Sequence, residues 1–263
     1  MSGMNLFDLE PHGPDTFVGI GPRYPWGGLF GGQIVAQALR AAAATVDATQ
    51  QVHSLRAYFI RPGDHTEPIR FEVDRIRNGK SFTTRRVVAR QAIGAIPNLE
   101  ASFQIPEDTA DIQLATMDLS LPGPDDCASD AWSASFDRRS VEAPSLPGDR
   151  GRIAVWMRVH DAIGDDELLH RCWLAYMSDD LPAESVRAAH PVFRDAEGVA
   201  YGASLDHTIW YHRPLRADEW HLYDFDVHNF TGARGLSIGH VFAQDGVHVA
   251  TVAQEVLMRQ RRQ

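Results

Sequence analysis

Asp179 is the side chain whose type and place could do chemistry. It closes L-A-Y-M-S-D (Leu174 to Asp179), at the end of a run in which Leu168, Leu169, Cys172, Trp173, Tyr176 and Met177 recur at helical spacing. That helix opens near Asp165 and Asp166, acids suited to a first turn, and Pro182 ends it. Asp179 then sits in the last turn, where the helix dipole disfavours a carboxylate. Such an acid, if desolvated, has a raised pKa and suits a general base; a solvated helix-end Asp is the alternative, and position alone leaves both open. A second feature is the pair Gly31-Gly32 ahead of the helical run ending at Val46. Glycines there let backbone amides approach a ligand at the positive end of the helix, or simply let the helix pack tightly on a sheet. They form no G-x-G-x-x-G fingerprint. Of the other familiar chemistries, an H-E-x-x-H metal site is missing from the sequence. His207, His212 and His228, near Trp210 and Tyr211, read as packed strand residues. Cys127 and Cys172, read as a loop thiol and a buried thiol, make neither a disulfide scaffold nor a metal site.

The elements that must position these residues are doubled. S-L-R-A-Y-F-I-R-P (Ser54 to Pro62) is echoed by S-L-D-H-T-I-W-Y-H-R-P (Ser204 to Pro214), with Arg61-Pro62 falling 152 residues before Arg213-Pro214. Gln104 precedes Gln254 by 150 residues and Arg85 precedes Arg234 by 149. Three landmarks in one order predict an internal duplication, hence two domains and not a solenoid. Ile69 to Arg77 and Trp220 to Val227 alternate apolar and polar residues, the mark of antiparallel strands with one wet face. Tight hairpins are expected at Asn78-Gly79 and Asp245-Gly246. Residues 1 to 30 read as an irregular arm in which Phe17 and Val18 start an edge strand; strands follow from about 53 to 105, and Ile153 to Val159 is another. Residues 106–150 hold five prolines and little periodicity, and read as a crossover linker with short ordered pieces. The expected division is 1–105, a linker over 106–150, and 151–263.

A chain of 263 residues is long enough for two domains of ordinary size. Its net charge of -10 and pI near 5.6 exclude a nucleic-acid partner, which needs a basic face. The acidic N-terminus does not read as a signal peptide, and no stretch approaches the ~20 apolar residues of a membrane span. The expected compartment is the cytoplasm.

Eight motifs in order carry a family resemblance over nearly the full length. They are F-G-G-Q-I-V-A-Q-A-L (Phe30 to Leu39), Y-F-I-R-P-G-D (Tyr58 to Asp64), R-N-G-K-S-F-T-T-R-R-V (Arg77 to Val87), A-S-F-Q (Ala101 to Gln104), L-A-Y-M-S-D, S-L-D-H-T-I-W-Y-H-R-P, T-G-A-R-G (Thr231 to Gly235) and Q-D-G-V-H-V-A-T-V-A-Q-E (Gln244 to Glu255). In these the chain resembles the acyl-CoA thioesterase II (TesB-like) family. The resemblance implies an α+β double hotdog, two tandem domains each with an antiparallel sheet wrapped around a long helix. It implies hydrolysis of acyl-CoA to free acid and coenzyme A by Asp-activated water, with no cofactor and no covalent intermediate. Its catalytic set falls on Asp179, Ser204 and Gln254, with Ser204 where many relatives have Thr. Gly31 and Gly32, or the turn before Asp179, would supply oxyanion amides. Arg85, Arg86, Arg213 and Arg234 are candidates to meet the phosphates of coenzyme A, against a role in surface pairing. The loop from Leu181 to Ala203 looks short and polar for the family. In the first half Gln104 remains but nothing matches Asp179, so one active site per chain is expected, and the resemblance implies a homo-oligomer, dimer or tetramer. Two rival readings are an enoyl-CoA hydratase, suggested by the D-x-x-x-x-H spacing of Asp165 and His170, and a non-catalytic acyl-CoA-binding module.

Overall fold

The computed structural model describes residues 6–144, 146, 151–194 and 200–260, and the chain divides into two compact units, Met1–Thr109 and Ala110–Gln263. The first unit runs β1 (Glu10–Pro11), β2 (Thr16–Gly19), α1 (Gly31–Ala43), β3 (Gln51–Phe59), β4 (Ile69–Asn78), β5 (Phe82–Gln91) and β6 (Gly94–Gln104). Its strands lie side by side in the order β1-β2-β4-β5-β6-β3, every pair antiparallel. Helix α1 packs against this sheet, and Ala36, Ala38, Ala41 and Ala42 are all buried, because small side chains let the helix axis come close to the strands. Gln33 and Gln37, buried on the same helix, donate from Nε2 to Ile20 O at 3.1 and 3.0 Å. The arm that contains β1 and β2 thereby becomes the edge of the sheet.

The second unit contains a short 3-10 turn (Pro124–Asp126), β7 (Phe136–Ser140), β8 (Ile153–Val159), α2 (Glu167–Ser178), α3 (Leu181–Ala189), β9 (Ala200–Ser204), β10 (Asp206–Tyr211), β11 (His221–Thr231), β12 (Arg234–Ala243) and β13 (His248–Gln260). Strand order is β10-β13-β12-β11-β8-β7, with β9 also lying along β13. The run β8-β11-β12-β13-β10 repeats β2-β4-β5-β6-β3 of the first unit strand for strand, which is the duplication the landmarks predicted. Both expected hairpins form: Gly79 N donates to Phe82 O at 3.0 Å, and Gly246 takes a φ of +87° in the turn between Ala243 and His248. Of the segment read as a linker, residues 110–144 and 146 belong to the second unit. Met117, Leu121, Cys127, Ala143 and Leu146 pack on a cluster of Val141, Trp156, Trp220, Leu222 and Phe242, and β7 pairs with β8. Residues 145 and 147–150 lie outside the described residues.

Two expectations about the second helix need correction. Pro182 does not merely end α2; it sits in the first turn of a further helix, α3, where a missing N–H costs nothing. The stretch from Leu181 that read as a loop is helical to Ala189, with residues 195–199 outside the described residues. Asp166 caps α2 as expected of an acid there, Oδ1 accepting from Leu169 N at 3.0 Å. No helix among the described residues is long and apolar enough to cross a membrane.

Candidate active site

Asp179 and Asp180 form the corner between α2 and α3. Asp179 is therefore not in a last turn facing only a negative helix end: α3 begins two residues later, and its positive end offsets the disfavour that position alone suggested. Asp180 pins the corner. Its carboxylate accepts from Trp132 Nε1 at 2.7 Å and Arg138 Nε at 2.8 Å, and Arg138 also bonds Glu184 at 2.6 Å and Asp130. Burial pushes the carboxyls of Asp180 and Glu184 above their ordinary range, while these acids hold Arg138 firmly protonated. On its other side α3 presses on β12, where Gly235 lies under Val186; a Cβ at 235 would come within 2.4 Å of that side chain. Asp179 itself is buried.

Ser204 reaches Asp179 through an irregularity in the sheet. Thr208 of β10 stands opposite Ala253, whereas Ser204 of β9 stands opposite Val256: four residues on one strand span three on its partner. A one-residue bulge at Leu205 and Asp206 is the consequence, with Asp206 Oδ1 accepting from Glu255 N at 2.8 Å. Strand side chains alternate, so positions 204 and 207 would face opposite ways without the bulge; with it they share the face of Gln254. On that face Ser204 Oγ donates to Asp179 Oδ1 at 3.2 Å, and Gln254 Nε2 donates to Ser204 Oγ at 2.8 Å. Gln254 Oε1 meets His207 Nδ1, and His207 Nε2 lies 2.9 Å from Ser178 Oγ at the end of α2. His207 and Gln254 are fully buried, and desolvation pushes His207 down to about 4.

The three residues placed in the catalytic set by resemblance are thus brought together, and two that were not, His207 and Ser178, complete their chain. His207 reads from the sequence as a packed strand residue beside Trp210 and Tyr211, and period-two alternation alone would put it on the face away from Ser204. Nothing in the periodicity reveals a bulge.

The other candidates make the following contacts within their own units. Gly31 and Gly32 open α1 in the first unit. Arg85 is buried and turned inward in the first unit, donating to Thr45 Oγ1 and O, Asn78 Oδ1, and the carbonyls of Arg77 and Thr84 at 2.7 to 3.0 Å. Arg86 pairs with Asp74 at 2.9 Å, Arg234 with Glu255 at 2.9 Å, and Arg213 with Asp111. Gln104 is not the counterpart of Gln254. It ends β6 opposite Gln51 and Phe82, while Leu55, which lies 152 residues before His207, faces Ala101. The hydratase-like pair does not converge: Asp165 is exposed on Arg216, and both nitrogens of His170 meet backbone, Gly164 O at 2.9 Å and Ala217 N at 3.0 Å.

Residues 21–104 match the family model described as the acyl-CoA thioesterase N-terminal domain, and residues 106–258 match the C-terminal domain. The chain belongs to the acyl-CoA thioesterase family. Among curated members, acyl-coenzyme A thioesterase 8 of Mus musculus is 33% identical over 97% of this chain and 88% of its own length. Acyl-CoA thioesterase 2 of Haemophilus influenzae is 32% identical over 97% and 96%. A solved structure of the acyl-CoA thioesterase II TesB2 from Mycobacterium marinum is 39% identical, covers 97% of this chain and 96% of its own, and superposes with a TM-score of 0.82. The thioesterase fold here is the double hotdog. This acyl-CoA thioesterase is a thioester hydrolase.

Proposed function

We propose that Asp179, Ser204 and Gln254 activate the water that hydrolyses the acyl-CoA thioester, in one active site per chain. The observation that carries this is the continuous chain Asp179–Ser204–Gln254, at 3.2 and 2.8 Å, built on the second unit alone. A carboxylate is the one group in it that can accept a proton; a serine donating to that carboxylate and an amide donating to the serine hold it in place. Water oxygen attacks the thioester carbon as Asp179 takes the water's proton. The tetrahedral intermediate then expels the sulfur, the C–S bond breaks, and the proton passes from Asp179 to the departing thiolate. Acid and coenzyme A are the products, and no acyl-enzyme forms. In this reading Ser204 holds the carboxylate and the water in place, donating to Asp179 and accepting from Gln254.

The test is thiol release from saturated acyl-CoAs, acetyl to palmitoyl, by the native chain and by Asp179→Asn. The native enzyme turns over a range that reports the acyl pocket's length, and the variant loses on the order of 10²- to 10⁴-fold in kcat with binding retained. A variant with native kcat would remove Asp179 from the mechanism. Light scattering of the same samples tests the dimer or tetramer that the family resemblance implies.

A further inference from the structure

The polar chain at the site has a direction, and His207 sets it. An amide oxygen only accepts, so the His207 Nδ1 that faces Gln254 Oε1 carries the ring's proton. Its Nε2 then accepts from Ser178 Oγ, 2.9 Å away. With its oxygen held by the imidazole, Gln254 turns Nε2 toward Ser204, whose oxygen accepts at 2.8 Å. The single proton of Ser204 is left for Asp179 Oδ1. Moving the imidazole proton to Nε2 reverses every link. Ser178 would give its proton to Ala175 O, a longer contact at 3.3 Å, and the Gln254 amide would rotate to donate to Nδ1. Ser204 would then donate to the glutamine oxygen, and the carboxylate would lose it.

We propose that His207 is a positioning residue for the hydrolysis: as its Nδ1–H tautomer it fixes the rotation of the Gln254 amide and so keeps Ser204 a donor to Asp179. The proposal rests on the reading of Asp179, Ser204 and Gln254 as the water-activating set. Two further observations support it. Burial keeps the ring neutral, as one tautomer requires, against the opposing pull of its bond to Gln254 and of Asp206 on the same strand. The first unit also folds the same strand pair without any such chain, Leu55 facing Ala101, so the sheet does not need this polar pair to form.

The experiment compares His207→Leu, His207→Asn, Gln254→Ala and the double variant His207→Leu/Gln254→Ala, with kcat, KM, pH profile and Tm for each. Removing the ring lowers kcat by about tenfold to a hundredfold with KM within about threefold, because a displaced activating group costs rate more than binding. It also moves the acid limb of the kcat profile to higher pH, since the carboxylate has lost a donor. Asn, whose Nδ2 lies where the imidazole Nδ1 does and also donates, recovers most of the loss. In the Gln254→Ala background His207→Leu costs less than about twofold further, because it acts through a side chain already gone. Independent, multiplying losses, or a kcat loss that follows Tm with an unmoved pH profile, would overturn the proposal. Should His207→Leu not fold, ¹⁵N NMR of the native imidazole decides: a neutral Nδ1–H ring at pH 7 is expected, and an Nε2–H ring overturns it. If Gln254→Ala turns over like the native enzyme, the catalytic reading itself fails. If Gln254→Ala is crippled and His207→Leu is not, only the positioning role fails.

Discussion

Ser204 has one proton and stands between an acceptor and a donor, so its value lies in the hydroxyl and in the side chain's rotamer. Removing the hydroxyl in Ser204→Ala leaves Asp179 without that donor and Gln254 Nε2 without its acceptor. The expected cost is about tenfold to a thousandfold in kcat, since the lost bonds orient the attacking group and do little for ground-state binding. Ser204→Thr keeps the hydroxyl and adds a methyl that stiffens χ1 in a strand. Its kcat is expected within about threefold of native, with Tm unchanged or raised. Steady-state kinetics and thermal melts of both variants check this pair. A threonine variant as poor as the alanine one would show that the site has no room for the methyl, and that Ser204 is matched to a narrower cavity than the chain of bonds alone requires.

At the scale of elements, catalysis depends on a corner held from two sides. Arg138 and Trp132 grip Asp180 from below the α2–α3 junction, and Gly235 lets α3 settle onto β12. Gly235→Ala would set a methyl 2.4 Å from Val186, so α3 must shift outward and carry the adjoining Asp179 with it. The expected destabilisation is about 1 to 3 kcal/mol, the usual cost of overpacking, with a kcat loss of at least about tenfold from the displaced carboxylate. Urea unfolding and thiol release on the same preparation check it; lost stability with native kcat would show that α3 can move without its first turn. These elements were unevenly legible in the sequence. Amphipathic spacing gave α2, and alternation gave β4 and β11 to within a few residues. The corner was missed because Pro182, read as a stop, is equally suited to a first turn. The bulge at Leu205 was missed because it adds one residue without altering composition, and with it went the true place of His207. The burial of Arg85 was not legible for a related reason: a charged residue in an alternating strand reads as wet, while its burial depends on the carbonyls and side chains of Thr45, Arg77 and Asn78 converging on it.

The whole molecule repeats one strand order twice, yet among the described residues only the second copy carries the polar chain, and that chain makes stability depend on pH. The duplication was legible from the Arg-Pro anchors, while Gln104 misled because a shared residue type near a strand end does not fix register. His207 is pushed down to about 4 by burial, His248 also to about 4, and His212 and His221 are lowered by the same cause. Each stays neutral in the folded chain at a pH where the unfolded chain has taken up a proton. Between about pH 6.5 and 4 the unfolded state therefore binds more protons, and stability falls as pH falls through that window. For His207 alone the loss across it is on the order of 3 kcal/mol, a large part of a net stability of about 5 to 15 kcal/mol. Asp180 and Glu184, whose carboxyls are pushed up, act in the opposite sense and offset part of the histidines' slope. His207→Asn separates the two, because it removes one titrating group and leaves the carboxyls alone. Urea unfolding of the native chain is expected to give midpoints that fall from pH 7 to pH 5 at constant m-value. The asparagine variant should show a slope shallower by up to about 1.4 kcal/mol per pH unit. Equal slopes for the two proteins would mean that His207 is protonated as readily in the folded chain as in the unfolded one, which a fully buried ring between Ser178 and Gln254 does not permit without breaking the chain that holds Asp179.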